Sequence, residues 1–159
     1  MTSIHKSTHF PDSFYRVTIK GLFVKDSKIL LLKESPKLSG QWELPGGGLD
    51  FGEEIHQGLK RKIEEETGMK IKSISEKPIY VWNWRFENRR GMDWYYSLVI
   101  AYKIEIENLE YQKSDECDEI GFFSKEELNT IELCQQTNGL KDFLIQTTLS
   151  SKNGLQKYL

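Results

Sequence analysis

The chain has 159 residues, 38% of them hydrophobic and 29% charged, a balance that suits one globular domain with one sizeable core. Its 22 basic and 24 acidic residues leave a formal charge of −2, so no general basic field holds a nucleic-acid polymer, although a small anion can bind where a local cation draws it in. No apolar run approaches the roughly 18 residues of a membrane span, and the opening "MTSIHKSTHF" lacks the apolar centre of a secretory signal.

Taken in chain order, "FYRVTIKGLFV" (14–24) alternates and is rich in β-branched and aromatic residues, which predicts a strand. "KDS" is a turn, and "KILLLKE" (28–34) is a second strand expected to pair with the first as a hairpin. After the loop "SPKLSGQ", "WELPGGG" reads as a short strand broken by Pro45, then a glycine loop, with Trp42 beneath it. From Glu53 to Thr67 the period becomes helical, with Ile55, Leu59 and Ile63 on one apolar stripe and Gly68 as the C-terminal cap. Residues 69–86 are extended, with a break near Pro78, and "NRRGMD" turns into the strongest strand signal, 94–106. A short strand follows at 119–123. Ser124 and Glu127 form a capping box that predicts a helix start, and a last helix covers about 140–149. Interleaved strands and helices, with hairpins among them, imply a mixed sheet covered by helices, in a single domain over 1–159 with 1–12 as a loose N-terminal segment. Cys117 and Cys134 form neither a CxxC nor a zinc-site spacing, which reads as free thiols in a reducing cytoplasm, with a disulfide left open.

The helix and the glycine loop carry the chemistry. With Ile63 at zero and about 100° per residue, Arg61 falls near 160°, Glu65 near 200°, Gly58 near 220°, Lys62 near 260° and Glu66 near 300°. Two carboxylates, a guanidinium and an ammonium therefore share one side, and Gly58 leaves a gap there with room for a ligand near the backbone. Carboxylates crowded on one face repel unless a cation intervenes, and Mg²⁺, a hard ion that takes oxygen ligands and bridges to phosphate, suits that task, with Mn²⁺ as a second candidate. Gly46 to Gly48 can add a backbone carbonyl and let a polyphosphate approach. The loop is neither a P-loop nor a GxGxxG turn. Each feature alone reads as an ordinary turn or a solvated helix face.

Joined at this spacing, they resemble the signature of the Nudix hydrolase family, G-x5-E-x7-R-E-U-x-E-E-x-G-U, where U is bulky and apolar. Gly47, Glu53, Arg61, Ile63, Glu65, Glu66, Gly68 and Met69 fall in register, and "WELPGG" resembles what precedes the signature. The resemblance implies an α/β/α sandwich with a mixed sheet. It also implies Mg²⁺-dependent hydrolysis of a nucleoside diphosphate linked to another moiety, in which water attacks phosphorus. Carried over by position, Glu65 and Glu66 would be metal ligands with the carbonyl of Gly47 nearby, Arg61 would orient a carboxylate, and Glu53 would support the loop and the metal site.

The chain departs from the family at Lys62, where the pattern has Glu. An ammonium cannot ligate a metal ion, and while protonated it accepts no proton. Three readings follow: a hydrolase that uses fewer metal ions and another base, a catalytically weakened module that binds a nucleotide or a protein, or a lysine that contacts phosphate directly. Among Asp115, Glu116, Asp118 and Glu119 in "KSDECDEIGFF" (113–123), Glu116 and Glu119 are the candidates for a replacement base. In "VWNWRFENRRG" (81–91), Trp82, Trp84 and Phe86 share one strand face with Asn83 and Arg85 on the other. Their functional reading is base stacking, with Arg85, Arg89 or Arg90 meeting phosphate; the structural reading is a core or a homodimer interface. His5, His9 and His56 show no ligand spacing, and His56 beside the apolar stripe reads as structural.

Overall fold

The computed structural model describes residues 15–89 and 91–149. The N-terminal segment expected over 1–12, His5, His9 and Arg90 lie outside these residues, as does the side chain of Arg89.

Among the described residues, eight strands form two four-stranded sheets. In the first, β1 (Tyr15–Leu22) runs parallel to β7 (Met92–Ile106), which also pairs antiparallel with β5 (Ile71–Ile74) and β6 (Tyr80–Arg89). In the second, β3 (Lys28–Glu34) pairs antiparallel with β2 (Val24–Lys25), β4 (Trp42–Glu43) and β8 (Cys117–Phe123). The expected pairing of 14–24 with 28–34 is corrected by this division. The chain changes sheets at Phe23, so only Val24 and Lys25 form the first arm of the hairpin. Its turn is tight because Asp26 and Ser27 both have positive φ, at 49° and 61°, which suits the right-handed twist of the two arms.

Helices lie on both sides. Helix α1 (Ile55–Thr67) packs over β1 and β5, and α3 (Lys141–Leu149) over β3, while α2 (Gln135–Asn138), a single turn, lies against β4. Two apolar clusters follow. Ile19, Leu30, Leu59, Ile63 and Ile104 belong to the first, and Leu22, Ile29, Leu31, Leu140 and Leu144 to the second. Alternate residues of β3 thus feed opposite cores, as a period of two requires. Burying Leu59 and Ile63 completely contributes about 1.5–3 kcal/mol each.

The capping box forms, with the Ser124 amide donating to Glu127 Oε2 at 2.7 Å and the Glu127 amide to Ser124 Oγ at 3.3 Å. It opens only a 3-10 turn, Glu127–Asn129, because Thr130 Oγ1 donates back to the Glu127 carbonyl and closes it. Trp42 lies edge-on to Phe123 at 4.6 Å, a neighbour across β3 that a linear reading does not supply. His56 meets the Tyr102 ring edge-on at 5.0 Å and is structural. Cys117 and Cys134 are free and buried. No described helix is long and apolar enough to cross a membrane.

Candidate active site

Helix α1 begins where Glu54, in extended backbone, accepts the Gln57 amide at 2.9 Å, and it ends at Gly68, whose φ of 70° lets its amide return to Glu64. Ahead of it, the glycine loop is stitched along β1. The Gly21 amide donates to the Pro45 carbonyl, the Ile19 amide to that of Gly47 (both 2.9 Å), and the Leu49 amide to that of Val17 at 3.0 Å. Gly46 has φ 115°, and a Cβ there would strike the Ile19 carbonyl, so both conformation and space demand glycine. The Gly47 carbonyl keeps one lone pair beyond its bond to Ile19.

Glu65 and Glu66 part company here. Glu66 is 7% exposed and its Oε2 accepts the Gly46 amide at 3.0 Å. At the carbonyl of the same glycine lies Lys20, 3% exposed, whose Nζ donates to Gly46 O (2.6 Å), Glu43 Oε2 (2.9 Å) and Leu44 O (3.0 Å). Burial pushes the Glu66 carboxyl up to about 8, with Lys20 opposing. Burial also disfavours the Lys20 ammonium, but Glu43 and Glu66 outweigh it and hold Lys20 above its ordinary value.

Glu65, 50% exposed, faces outward. Arg61 clamps Glu53 through two bonds of 2.7 Å and reaches Glu65 at 3.2 Å through its third nitrogen. The hydrogen bonds from Arg61 hold the Glu53 carboxyl down at about 2. Lys62 Nζ lies 3.3 Å from Glu65 and 3.8 Å from Glu116, with its stem against Gly47. Gly58, expected to leave room for a ligand, is instead buried under Leu49 and the Glu53 carboxylate, so the missing side chain admits protein atoms.

Glu116 arrives from far along the chain because its loop is tied to the end of α1. Ser114 Oγ donates to the Glu66 carbonyl at 2.9 Å and the Gln112 amide to the Thr67 carbonyl at 2.8 Å, while the Glu116 carbonyl accepts the Ser35 amide. These elements enclose a cleft of about 340 Å³, lined by Gly47, Arg61, Lys62, Glu66 and Glu116 together with Arg16, Lys20, Glu43, Phe86, Tyr95 and Gln136. Clefts of roughly 300–1,000 Å³ are typical of small-molecule sites.

The model of the family described as "NUDIX domain" matches residues 15–143. The chain belongs to the Nudix hydrolase family. Members act on phosphoanhydride bonds and generally use divalent metal ions. The chain is 28% identical over 106 residues to "Nucleoside triphosphatase NudI" of Enterobacter sp. (strain 638), covering 62% of this chain and 72% of that one. It is 31% identical over 110 residues to "ADP-ribose pyrophosphatase" of Methanocaldococcus jannaschii, covering 67% of this chain and 60% of that one, less than two thirds of the relative's length. Among solved structures, "MutT NUDIX hydrolase from Burkholderia pseudomallei" superposes with a TM-score of 0.66 at 24% identity, over 82% of this chain and 98% of that one. At that identity the likeness is one of fold.

Within the Nudix frame, some residues singled out by sequence come together and others do not. Gly47, Arg61, Lys62, Glu66 and Glu116 line the cleft, and Arg61 binds Glu53 and Glu65 beside it. Glu119 pairs with Lys33 at 3.7 Å on the second sheet and lines no part of the cleft. Arg85 pairs with Glu87 and covers the Trp94 ring, on the strand face opposite Phe86. Trp84 packs over Gly139, outside the cleft. Arg89 ends β6 opposite Met92. Sequence reasoning missed Lys20, Glu43 and Gln136. The only available signal for Lys20 was a lysine inside the alternating run "RVTIKGL", at a position of β1 that proves buried.

Proposed function

We propose that this protein is a Mg²⁺-dependent pyrophosphohydrolase that cleaves a nucleoside diphosphate linked to another moiety, of the nucleotide or nucleotide-sugar class, by attack of water on phosphorus. The observation that carries this reading is the convergence of Gly47, Arg61, Lys62, Glu66 and Glu116 on one cleft. The names of the two relatives, a nucleoside triphosphatase and an ADP-ribose pyrophosphatase, support the substrate class.

The donors are oxygens of the kind Mg²⁺ takes, an ion bound through one or two carboxylates that keeps several waters. Among the described residues no three carboxylates stand together as a ready-made cage, and Glu65 and Glu116 approach one shared cation, the Lys62 ammonium. Glu65 and Glu66, with the free lone pair of the Gly47 carbonyl, would hold the ion. Once bound, Mg²⁺ supplies charge screening of the phosphate oxygens and a lower pKa for its water. Arg61 keeps Glu53 and Glu65 in place. Lys62, which cannot serve as a ligand, meets phosphate oxygens as a fixed cation. As the water oxygen bonds phosphorus, its proton passes to Glu116 Oε2, and the bridging P–O bond breaks with its electron pair on the departing phosphate.

The test is a panel of nucleoside diphosphate derivatives incubated with and without Mg²⁺, with released phosphate or monophosphate measured. Metal-dependent release that Glu66→Gln abolishes is the expected result. The hold of Glu65 and Glu116 on Lys62 favours a second reading, a nucleotide- or protein-binding module with weakened catalysis. Binding without turnover, and turnover gained by Lys62→Glu, would decide for it.

A further inference from the structure

The acidic helix and the glycine loop account for one part of the cleft and leave its aromatic part without a chemical role. Gln136, on α2, is 5% exposed and lines the same cleft as Glu66 and Lys62. Its Nε2 amide is buried and has no hydrogen-bond partner among the described residues. Buried amides are nearly always paired, because an unpaired one loses its bonds to water and gains nothing in return. The other buried donors in this condition, the indoles of Trp82 and Trp84 and the Ser35 hydroxyl, line no part of the cleft.

The surroundings of Gln136 hold it in place. The Cys134 amide donates to the Trp42 carbonyl at 2.8 Å, which ties the start of α2 to β4, and Gly139 at its end lies against the Trp84 ring. Two residues beyond Trp84, on the same face of β6, Phe86 is 9% exposed and stacks on Tyr95 with centroids 5.2 Å apart at 30°. Both rings line the cleft. One cavity is therefore lined by an aromatic pair against which a planar ring can stack and by a glutamine whose N–H still lacks an acceptor among the described residues.

We propose that Gln136 is a specificity-determining residue, whose amide N–H donates to a carbonyl oxygen on the edge of a nucleobase packed against Phe86 and Tyr95. The site then prefers bases with a carbonyl at that edge (hypoxanthine, guanine, uracil) to those with an amino group in the same position (adenine, cytosine), where two donors would face each other. This deepens the hydrolase reading, on which it rests for placing the phosphates beside the acidic helix.

The test titrates the full chain calorimetrically, in Mg²⁺, with two nucleotide pairs that differ at this edge: inosine against adenosine 5′-monophosphate, and uridine against cytidine 5′-monophosphate. The carbonyl member of at least one pair should bind roughly 3- to 10-fold more tightly, the effect of one net hydrogen bond. Gln136→Met, which keeps the bulk and removes the donor, should erase that preference, and Gln136→Glu, which presents an acceptor, should turn it toward the amino member. Equal affinities within both pairs, a preference that survives Gln136→Met, or no binding of any of the four overturns the proposal. If Gln136→Met does not fold, the wild-type ratio and its reversal in Gln136→Glu decide. The hydrolase reading fails on a different result, the absence of metal-dependent cleavage, which these binding ratios do not measure.

Discussion

Glu65 and Glu66 are neighbours in the chain, yet they belong to two charge clusters of opposite character. The outer cluster, Arg61 with Glu53 and Glu65, faces water, and hydrogen bonds from Arg61 pull the Glu53 carboxyl down to about 2. The inner cluster, Lys20 with Glu43 and Glu66, is buried against the Gly46 backbone at the floor of the cleft, and burial drives the Glu66 carboxyl up to about 8. A single helical step of about 100° separates these outcomes. The lesson concerns division of labour. Exposed ion pairs contribute little to stability but can orient groups, whereas a buried pair is strongly destabilising once one partner is removed. The inner cluster therefore holds the loop in place, and the outer one aims the carboxylates.

The sharpest way to break the contrast is Lys20→Met. It strips the inner cluster of its only cation among the described residues and leaves the Leu44 and Gly46 carbonyls without their donor. The expected loss is about 3–5 kcal/mol in chemical denaturation. Gly46→Ala attacks the same peptide from the backbone, combining positive φ with contact against the Ile19 carbonyl, and should lower stability by about 1–3 kcal/mol in thermal melts. In the outer cluster, Arg61→Ala should lower stability by about 1 kcal/mol or less while reducing kcat at least tenfold in a steady-state assay, through loss of the clamp on Glu53 and Glu65. The pH response sharpens the contrast further. Because Glu53 is held near 2 against an ordinary 4.5, its contribution is fully present above pH 4.5 and is lost as pH falls toward 2. The Tm advantage of wild type over Glu53→Gln should therefore shrink across that window. Smallest of all, Lys62→Gln should leave unfolding within about 0.5 kcal/mol of wild type, since its partners Glu65 and Glu116 are at least half exposed. A larger change in the denaturation midpoint would place Lys62 in the inner cluster.

Much of the fold and part of the site were legible in the sequence. Ile55, Leu59 and Ile63 at helical spacing, Gly68 as a cap and the alternation around Trp82, Trp84 and Phe86 each express local geometry that neighbouring residues determine. The division into two sheets was not legible, because pairing of β1 with β7 rather than β3 depends on residues about 80 positions away. The same limit hid Lys20 and Glu43, whose roles appear only when the glycine loop lies along β1. Glu116 and Glu119 looked alike as acidic loop residues, and what separates them is the Ser114 bond to the end of α1 and the partner Lys33 that β3 sets opposite Glu119. Gly58 misled because a gap on a helical wheel does not say which atoms will fill it.

The stitching of residues 45–49 to β1 has a wider consequence. A segment bonded amide by amide to a core strand cannot shift unless the sheet shifts with it, so this wall of the cleft behaves as a fixed anvil. Gln136 stands instead on a single helical turn joined to the scaffold at its two ends. If Gln136 reads the base as proposed, new substrate preferences can be drafted there by a few exchanges that leave the glycine loop and the acidic helix untouched.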